Sequence, residues 1–127
     1  MSKKTLVIGA SLKPIRYSNM AINKLVNYKH VVVAIGLRKG NVANTPILTA
    51  SSDAELFTLD IKGIDTVTLY LNATRQVEFY DFIISLKPKR VIFNPGTENN
   101  TFYRLLNDNN IAYEESCTLV LLNTNQY

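Results

Sequence analysis

The sequence predicts an α/β fold in which a single doubly wound, mainly parallel five-stranded sheet carries helices on both faces. Two observations predict it. Short runs of successive apolar, β-branched residues recur along the chain, which is typical of strands covered on both faces. Between these runs lie segments whose apolar residues repeat at helical spacing. Because strands that alternate with helices form parallel sheets with helical crossovers, the pattern indicates this fold class.

Five segments are predicted to be strands. Each is short and mostly apolar, and a loop rich in Gly, Asn or Pro follows most of them. The predicted strands are Thr5–Ile8, Val31–Ile35, Thr66–Leu71, Val91–Phe93 and Ile111–Glu114.

Three segments are predicted to be helices. Ser18–Val26 has its apolar residues on one stripe, and Ser18 is the expected N-cap. Thr74–Leu86 ends ahead of Lys87-Pro88, since the residue before a proline disfavours helical backbone. Asn99–Asn109 carries three apolar residues at helical spacing.

Two further regions are less regular. Asn41–Gly63 follows neither the strand nor the helix period, and we expect a long crossover with a short helix or an extended piece. Thr118–Leu122 is an apolar stretch that a second copy of the chain could cover in a homodimer.

The length and composition indicate one globular domain over residues 1–127. The chain is 46% hydrophobic and 19% charged. No apolar run approaches the roughly 20 residues that span a bilayer, and the N-terminus carries no secretory signal pattern. We therefore expect a cytoplasmic protein with no membrane partner.

The chain holds one cysteine, Cys117, and one histidine, His30. A disulfide within the chain and a zinc site built from thiolates are both excluded, and we expect no metal site. Cys117 adjoins an apolar segment and is expected to be a buried small side chain. No catalytic residue is expected, because neither side chain has a nucleophile or base partner in the sequence pattern.

The net charge is +4. Such an excess is compatible with an ordinary protein surface or with a site for an anionic ligand. Nucleic acid is disfavoured as a partner, because no dense run of Lys and Arg is interleaved with aromatic residues.

The functional site is expected beyond the carboxyl ends of the strands, where ligands bind on parallel sheets. The first predicted strand is followed by a loop from Gly9 to a helix. A glycine there lets the backbone approach a phosphate, and hydroxyls and an arginine can donate to it. The alternative is an ordinary turn with a cap. The candidate phosphate-binding residues are Gly9, Ala10, Ser11, Pro14, Arg16, Tyr17 and Ser18.

The second predicted strand is followed by Gly36, Arg38 and Lys39. A domain that binds NAD places a carboxylate near this point, whereas two cations suit a phosphate on the adenosine ribose, as in coenzyme A or NADP. The alternative is a solvated basic turn. Lys87–Arg90 and His30 come before predicted strands, so we expect them at the opposite rim.

The third and fourth predicted strands end in neutral hydrogen-bonding groups. Asn72 follows the third, and a Pro-Gly turn with two amides follows the fourth. The candidate binding residues here are Asn72, Asn94, Pro95, Gly96 and Asn99.

In this order and spacing, the residues resemble the small stand-alone CoA-binding domain proteins, which are relatives of the CoA-binding domain of succinyl-CoA synthetase α subunits. The resemblance covers Lys4 to Leu122. The matching features are Val7–Ser11, Pro14, Arg16–Ser18, Lys39-Gly40, Asn94–Gly96 with Asn99, and Cys117. Ala34-Ile35-Gly36 is a departure, since many relatives read Val-Asn-Pro there.

The resemblance implies a Rossmann-like fold that holds CoA. It places the first turn, with Ser11, Arg16 and Ser18, on the phosphates and Lys39 on the 3′-phosphate. The synthetase's activity is not expected here, because it needs a histidine in a further domain.

The sequence thus favours a protein that binds CoA or an acyl-CoA without catalytic machinery of its own, as a sensor or an accessory subunit. The alternative is an NADP-dependent reductase or another nucleotide-dependent enzyme. A third hypothesis is a regulatory partner whose nucleotide cleft is vestigial.

Overall fold

A computed structural model describes residues 2–127, and these form one seven-stranded sheet with the order β3-β4-β2-β1-β5-β6-β7. All neighbouring strands pair in parallel except β3 and β4. The strands are β1 (Thr5–Ala10), β2 (Val32–Gly36), β3 (Gly40–Val42), β4 (Thr45–Leu48), β5 (Thr66–Leu69), β6 (Arg90–Phe93) and β7 (Ala112–Glu115). The α/β class is confirmed, and each of the five predicted strands is present.

The predicted strand count of five is wrong, because a hairpin adds β3 and β4 at one edge. Its two-residue turn, Ala43-Asn44, has positive φ angles of 50° and 61°. Turns of this kind are usually signalled by Asn-Gly or Asp-Gly, and alanine is not expected at a positive φ. The sequence therefore carries no signal for this turn. The region 41–63, which was expected to be an irregular crossover, begins with a hairpin instead.

The helices lie between the strands as predicted, with small shifts of their ends. The expected cap at Ser18 is wrong, because α1 begins one residue earlier and Ser18 is buried within its first turn. The predicted helix 74–86 is three consecutive pieces, α3, a 3₁₀ turn over Val77–Phe79, and α4. The α-helices are α1 (Tyr17–Asn27), α2 (Asp53–Leu56), α3 (Ala73–Gln76), α4 (Tyr80–Leu86), α5 (Asn100–Asp108) and α6 (Thr118–Asn123). Within residues 2–127, none of them has the length and apolar character needed to cross a bilayer.

Helices cover both faces of the sheet. Alternate residues of β1 point to opposite sides, so that Leu6 and Ile8 join one core cluster and Val7 joins the other. α1 and α6 pack on the Val7 side, and α2, α4 and α5 pack on the other. The apolar stretch 118–122 is thus partly used inside the fold, because Leu122 lies in the core.

The topology locates the site. From β1 the chain builds outward through β2 and β4, and after the crossover it builds in the opposite direction from β5 through β6 to β7. The order reverses between β1 and β5, which are direct neighbours from Thr5↔Thr66 to Ile8↔Leu69. Ligands on such sheets bind in the crevice beyond the carboxyl ends of the strands at this switch point.

The opposite rim of the sheet is closed by Tyr127. Its hydroxyl lies 2.5 Å from the Thr5 hydroxyl, and its main-chain oxygen accepts hydrogen bonds from Lys3 Nζ (2.6 Å) and Arg90 Nη2 (2.8 Å). His30 packs edge-on against its ring, and His30 Nδ1 accepts from the Lys3 main-chain N–H at 2.9 Å. The predicted location of His30 and of the 87–90 segment away from the switch point is confirmed.

We predict that His30 makes the fold less stable in mild acid. Burial, followed by the charges of Lys3 and Arg90, lowers the pKa of His30 below its ordinary value of 6.5. The neutral form is therefore favoured in the folded state, and its stabilising contribution is complete above about pH 6.5 and is lost as the pH falls below it. Urea unfolding at about pH 7.5 and about pH 5.5 measures this loss.

His30→Gln is the matched control, because a glutamine can accept the Lys3 hydrogen bond and does not titrate. The difference in unfolding free energy between the two pH values should be smaller in this variant. An identical pH dependence in both proteins would contradict the assignment.

Candidate functional site

A cleft of about 590 Å³ opens at the switch point. One wall consists of the segments after β1 and β2, and the other consists of the segments after β5 and β6. The volume lies within the range of small-molecule pockets, roughly 300–1,000 Å³. We call these two sides the first wall and the second wall.

The first wall requires glycine at the point where β1 ends. Gly9 has a φ of 93°, and a Cβ there would lie 3.0 Å from the main-chain carbon and oxygen of Tyr70 on the second wall. The β1–β2 register also shifts between Ile8 and Ala10. Because no side chain separates the two backbones, the loop after β1 lies directly against the segment after β5.

Gly36 is required for a similar reason. A Cβ at Gly36 would lie 2.3 Å from the carbonyl oxygen of Ala10, far inside van der Waals contact. The end of β2 is thereby held close to the loop after β1, and Leu37 and Arg38 line the cleft beside it.

Short-range hydrogen bonds set the shape of the loop after β1. The Asn19 side chain, buried in α1, donates to the Ser11 carbonyl at 2.9 Å. The Ser11 hydroxyl accepts from the Lys13 N–H at 3.1 Å, and the Lys13 carbonyl accepts from the Arg16 N–H at 3.0 Å. Sequence reasoning missed Asn19, because a buried amide within a helix looks like an ordinary polar position.

Gln76 ties the second wall together. Its side chain is fully buried, and its amide nitrogen donates to the carbonyls of Leu71 (2.8 Å) and Thr97 (2.7 Å). Its amide oxygen accepts from Asn99 Nδ2 at 2.9 Å. One side chain thus joins the segment after β5 to the segment after β6.

The side chains of Asn94 and Asn99 point into the protein interior rather than into the cleft. Asn94 donates to the Thr68 hydroxyl (2.7 Å) and the Leu69 carbonyl (2.9 Å), and it accepts from the Thr118 N–H at 2.9 Å. Asn99 caps α5 and donates to Gln76 as well as to the Tyr80 hydroxyl. Both amides are used by the framework of the site and do not line the cleft.

Most of the other sequence-predicted residues are brought together. Lys39 and Pro14 are not among them, since Pro14 lines a shallow groove on α1 and Lys39 lies near Glu55. The Glu55 pKa is lowered by hydrogen bonds from Ser51 and, to a smaller extent, by the charge of Lys39. The predicted residues that line the cleft are Gly9, Ala10, Ser11, Arg16, Tyr17, Ser18, Gly36, Arg38, Asn72, Pro95 and Gly96.

Several cleft residues were not identified as site residues from the sequence. Tyr70 and Leu71 directly follow β5, and the sequence indicated them only as an apolar wall next to Asn72. Arg75 lies on α3, where nothing in the sequence distinguishes it from a surface arginine. The residues in this group are Leu12, Lys13, Ile35, Leu37, Ala50, Tyr70, Leu71, Arg75, Glu78, Phe79 and Thr97.

The cleft is strongly cationic. Lys13, Arg16, Arg38 and Arg75 line it, against one carboxylate, Glu78. The ion pairs formed by residues 2–127 lie elsewhere and join Lys62 to Asp60, Lys89 to Asp65 and Arg90 to Glu114. Within this part of the chain, none of the four cleft cations therefore has a carboxylate within 4.0 Å. Cations gathered without acid partners are suited to bind a polyanion.

Cys117 is half-buried rather than buried as the sequence predicts, and it immediately precedes α6. It lies near Tyr70, whose pKa burial raises to about 12. His30 is at the opposite rim, so no imidazole is in reach of this thiol as a base. Among the described residues, the cleft offers groups that can bind and orient an anion.

The comparisons with known proteins agree with this geometry. A family model described as a CoA binding domain matches residues 3–123. The crystal structure of an uncharacterized protein is 40% identical, with a TM-score of 0.90, over 100% of this chain and 99% of the other.

Two more distant structures show the same fold. A protein from Thermus thermophilus is 17% identical with a TM-score of 0.80, over 99% of this chain and 91% of the other. A hypothetical protein from Pyrococcus horikoshii OT3 is 22% identical with a TM-score of 0.79, over 94% of this chain and 80% of the other. No curated protein matches the sequence.

We predict that Gln76→Leu destabilises the protein by about 2–4 kcal/mol. The leucine is similar in size but leaves two buried carbonyls and the Asn99 amide with fewer partners, and each buried unsatisfied group costs about 1–3 kcal/mol. Urea unfolding measures the change. Gln126→Leu is the control, because Gln126 is exposed, and its effect should stay within about 0.5 kcal/mol. Equal effects of the two substitutions would mean that Gln76 does not hold the second wall.

Proposed function

The chain belongs to the CoA-binding domain family, and on that premise we propose that it is a cytoplasmic protein that binds coenzyme A or an acyl-CoA in the switch-point cleft. The observation that carries the proposal is the set of four cleft cations without a carboxylate partner. CoA carries a pyrophosphate and a 3′-phosphate at its nucleotide end, which are the groups that such cations bind.

The proposal assigns the pyrophosphate to the loop after β1. This loop holds Ser11 and Arg16, Ser18 lies beside it in the first turn of α1, and Gly9 lets the loop pack against the backbone of Tyr70 on the second wall. Arg16 is exposed and can form two parallel hydrogen bonds to phosphate oxygens.

The proposal assigns the 3′-phosphate to the segment after β2. Arg38 lines the cleft there, and Lys39 follows it at greater distance, toward Glu55. Arg38 should therefore contribute more than Lys39. The apolar part of the first wall, formed by Ile35 and Leu37, is suited to the adenine ring together with Ala50, which follows β4.

We further propose that the protein holds its ligand without transforming it, as a sensor or an accessory subunit. The cleft cations and hydrogen-bond donors bind anions, and the sole histidine is at the opposite rim. The alternative is an enzyme that uses NADP, whose 2′-phosphate Arg38 could bind equally well. Calorimetric titration with CoA, NADP and NADPH separates the two, and tighter binding of NADP or NADPH than of CoA would favour the enzyme.

The charge distribution supports an anionic ligand as well. The first 52 residues contain eight Lys and Arg and no Asp or Glu, whereas residues 53–127 contain six Lys and Arg and all ten acids. The first segment forms β1 to β4 and the second forms β5 to β7. The two halves of the sheet along the strand order therefore differ in charge. A field of this kind draws a polyanion toward the first wall.

We predict that wild-type protein binds CoA about ten- to a hundredfold more tightly than dephospho-CoA, because a charge-assisted contact contributes about 1.5–3 kcal/mol. Arg38→Ala should remove most of this preference, and Lys39→Ala should remove less. Isothermal titration calorimetry measures both. Equal affinities of the wild-type protein for the two ligands would contradict the assignment of the 3′-phosphate.

We also predict that CoA associates more slowly as the salt concentration rises. Raising the ionic strength from about 0.1 M to about 1 M shortens the screening length from about 10 Å to about 3 Å. Stopped-flow measurements should show a decrease in the association rate of at least about tenfold. An association rate that is independent of salt would show that the charge asymmetry does not steer the ligand.

A further inference from the structure

We propose that Arg75 binds the pyrophosphate from the second wall, opposite the loop after β1, and contacts the phosphate that is farther from the adenosine. This inference rests on the proposed function of the cleft. It adds a specificity determinant for the diphosphate group itself, on an element that carries no recognisable phosphate-binding motif.

The position of Arg75 in the fold supports this role. The strands run in the order β2-β1-β5-β6, and neighbouring strands are about 4.8 Å apart. With the ribose phosphate at Arg38 beyond β2 and the near phosphate at the loop after β1, the next position along the sheet lies beyond β5. Arg75 lines the cleft on α3, which directly follows β5.

The backbone beneath Arg75 is held in place from two directions. Its N–H donates to the Asn72 side-chain oxygen at 3.0 Å and the Asn72 carbonyl at 3.1 Å, which caps the first turn of α3. The next residue, Gln76, is fully buried and bonded to the carbonyls of Leu71 and Thr97. The Cα of Arg75 is thus fixed relative to both segments of the second wall.

The guanidinium, by contrast, has no carboxylate within 4.0 Å among residues 2–127. Glu78 lies three residues later on the same surface, a spacing at which helical side chains can pair, yet no Arg75–Glu78 contact lies within 4.0 Å. An exposed arginine without an acid partner, on a rigid backbone in a cationic cleft, is placed to bind an anion.

The chemical class of ligand that this arrangement selects is the nucleoside diphosphate. CoA and ADP both carry a second phosphate beyond the one attached to the ribose. Adenosine 3′,5′-bisphosphate carries the 3′-phosphate and only one phosphate at the 5′ position. It can therefore occupy Arg38 and the loop after β1 without reaching Arg75.

The test is a comparison of three ligands by isothermal titration calorimetry. Arg75→Ala should weaken the binding of CoA and of ADP by about ten- to a hundredfold and leave that of adenosine 3′,5′-bisphosphate within about threefold. The affinity of Arg75→Lys for CoA and ADP should lie between those of the wild type and Arg75→Ala, because lysine keeps the charge and loses the bidentate hydrogen-bonding geometry. Arg104→Ala, an exposed arginine on α5 that does not line the cleft, is the matched control and should change nothing.

The outcomes are distinguishable. Unchanged CoA binding in Arg75→Ala would overturn the inference. An equal loss of affinity for all three ligands would overturn it too, because Arg75 would then contribute only to the overall positive potential of the cleft. A wild-type protein that binds none of the three ligands would instead overturn the proposed function, and this inference with it. Thermal melting of each variant verifies that the fold is intact. Arg75→Lys provides a second measurement of the affinity for the three ligands, in a variant that keeps the charge.

Discussion

The cleft exists because main chain packs against main chain at two glycines. At Gly36 the nearest backbone oxygen, that of Ala10, would be 2.3 Å from any Cβ, and at Gly9 the backbone of Tyr70 would be 3.0 Å away. A side chain at either point would push the loop after β1 away from its neighbours. These contacts bring the ends of β2, β1 and β5 to one place, and every ligand contact proposed for the first wall depends on that approach.

A buried polar network complements these close contacts on the second wall. Gln76 and Asn94 use their amides on main-chain groups of neighbouring strands and loops, and Asn99 donates to the side chains of Gln76 and Tyr80. Burying such groups is costly unless nearly all their hydrogen bonds are made, so a satisfied network favours one arrangement of the loops. The amides therefore act on a ligand indirectly, by fixing the backbone that carries the residues facing it.

The two walls of the cleft differ in charge. All the Asp and Glu residues of the chain follow residue 52, and within residues 2–127 the Lys and Arg side chains before that residue have no Asp or Glu partner within 4.0 Å. A ligand with its charge at one end and a neutral arm at the other, as in CoA, suits a cleft that is cationic at one wall and mixed at the other. Binding and orientation then arise from the same distribution of side chains.

The sequence by itself determined the alternation of five strands with helices and the loop residues after β1 and β2, because buried parallel strands require apolar runs and tight strand ends require glycine. It did not determine the hairpin, since Ala43-Asn44 carries no usual turn signal. Only the tertiary structure decided that Asn94 and Asn99 point inward while Arg75 faces the cleft. The direction of a side chain beyond a strand end depends on the segments packed around it, and those segments come from distant parts of the chain.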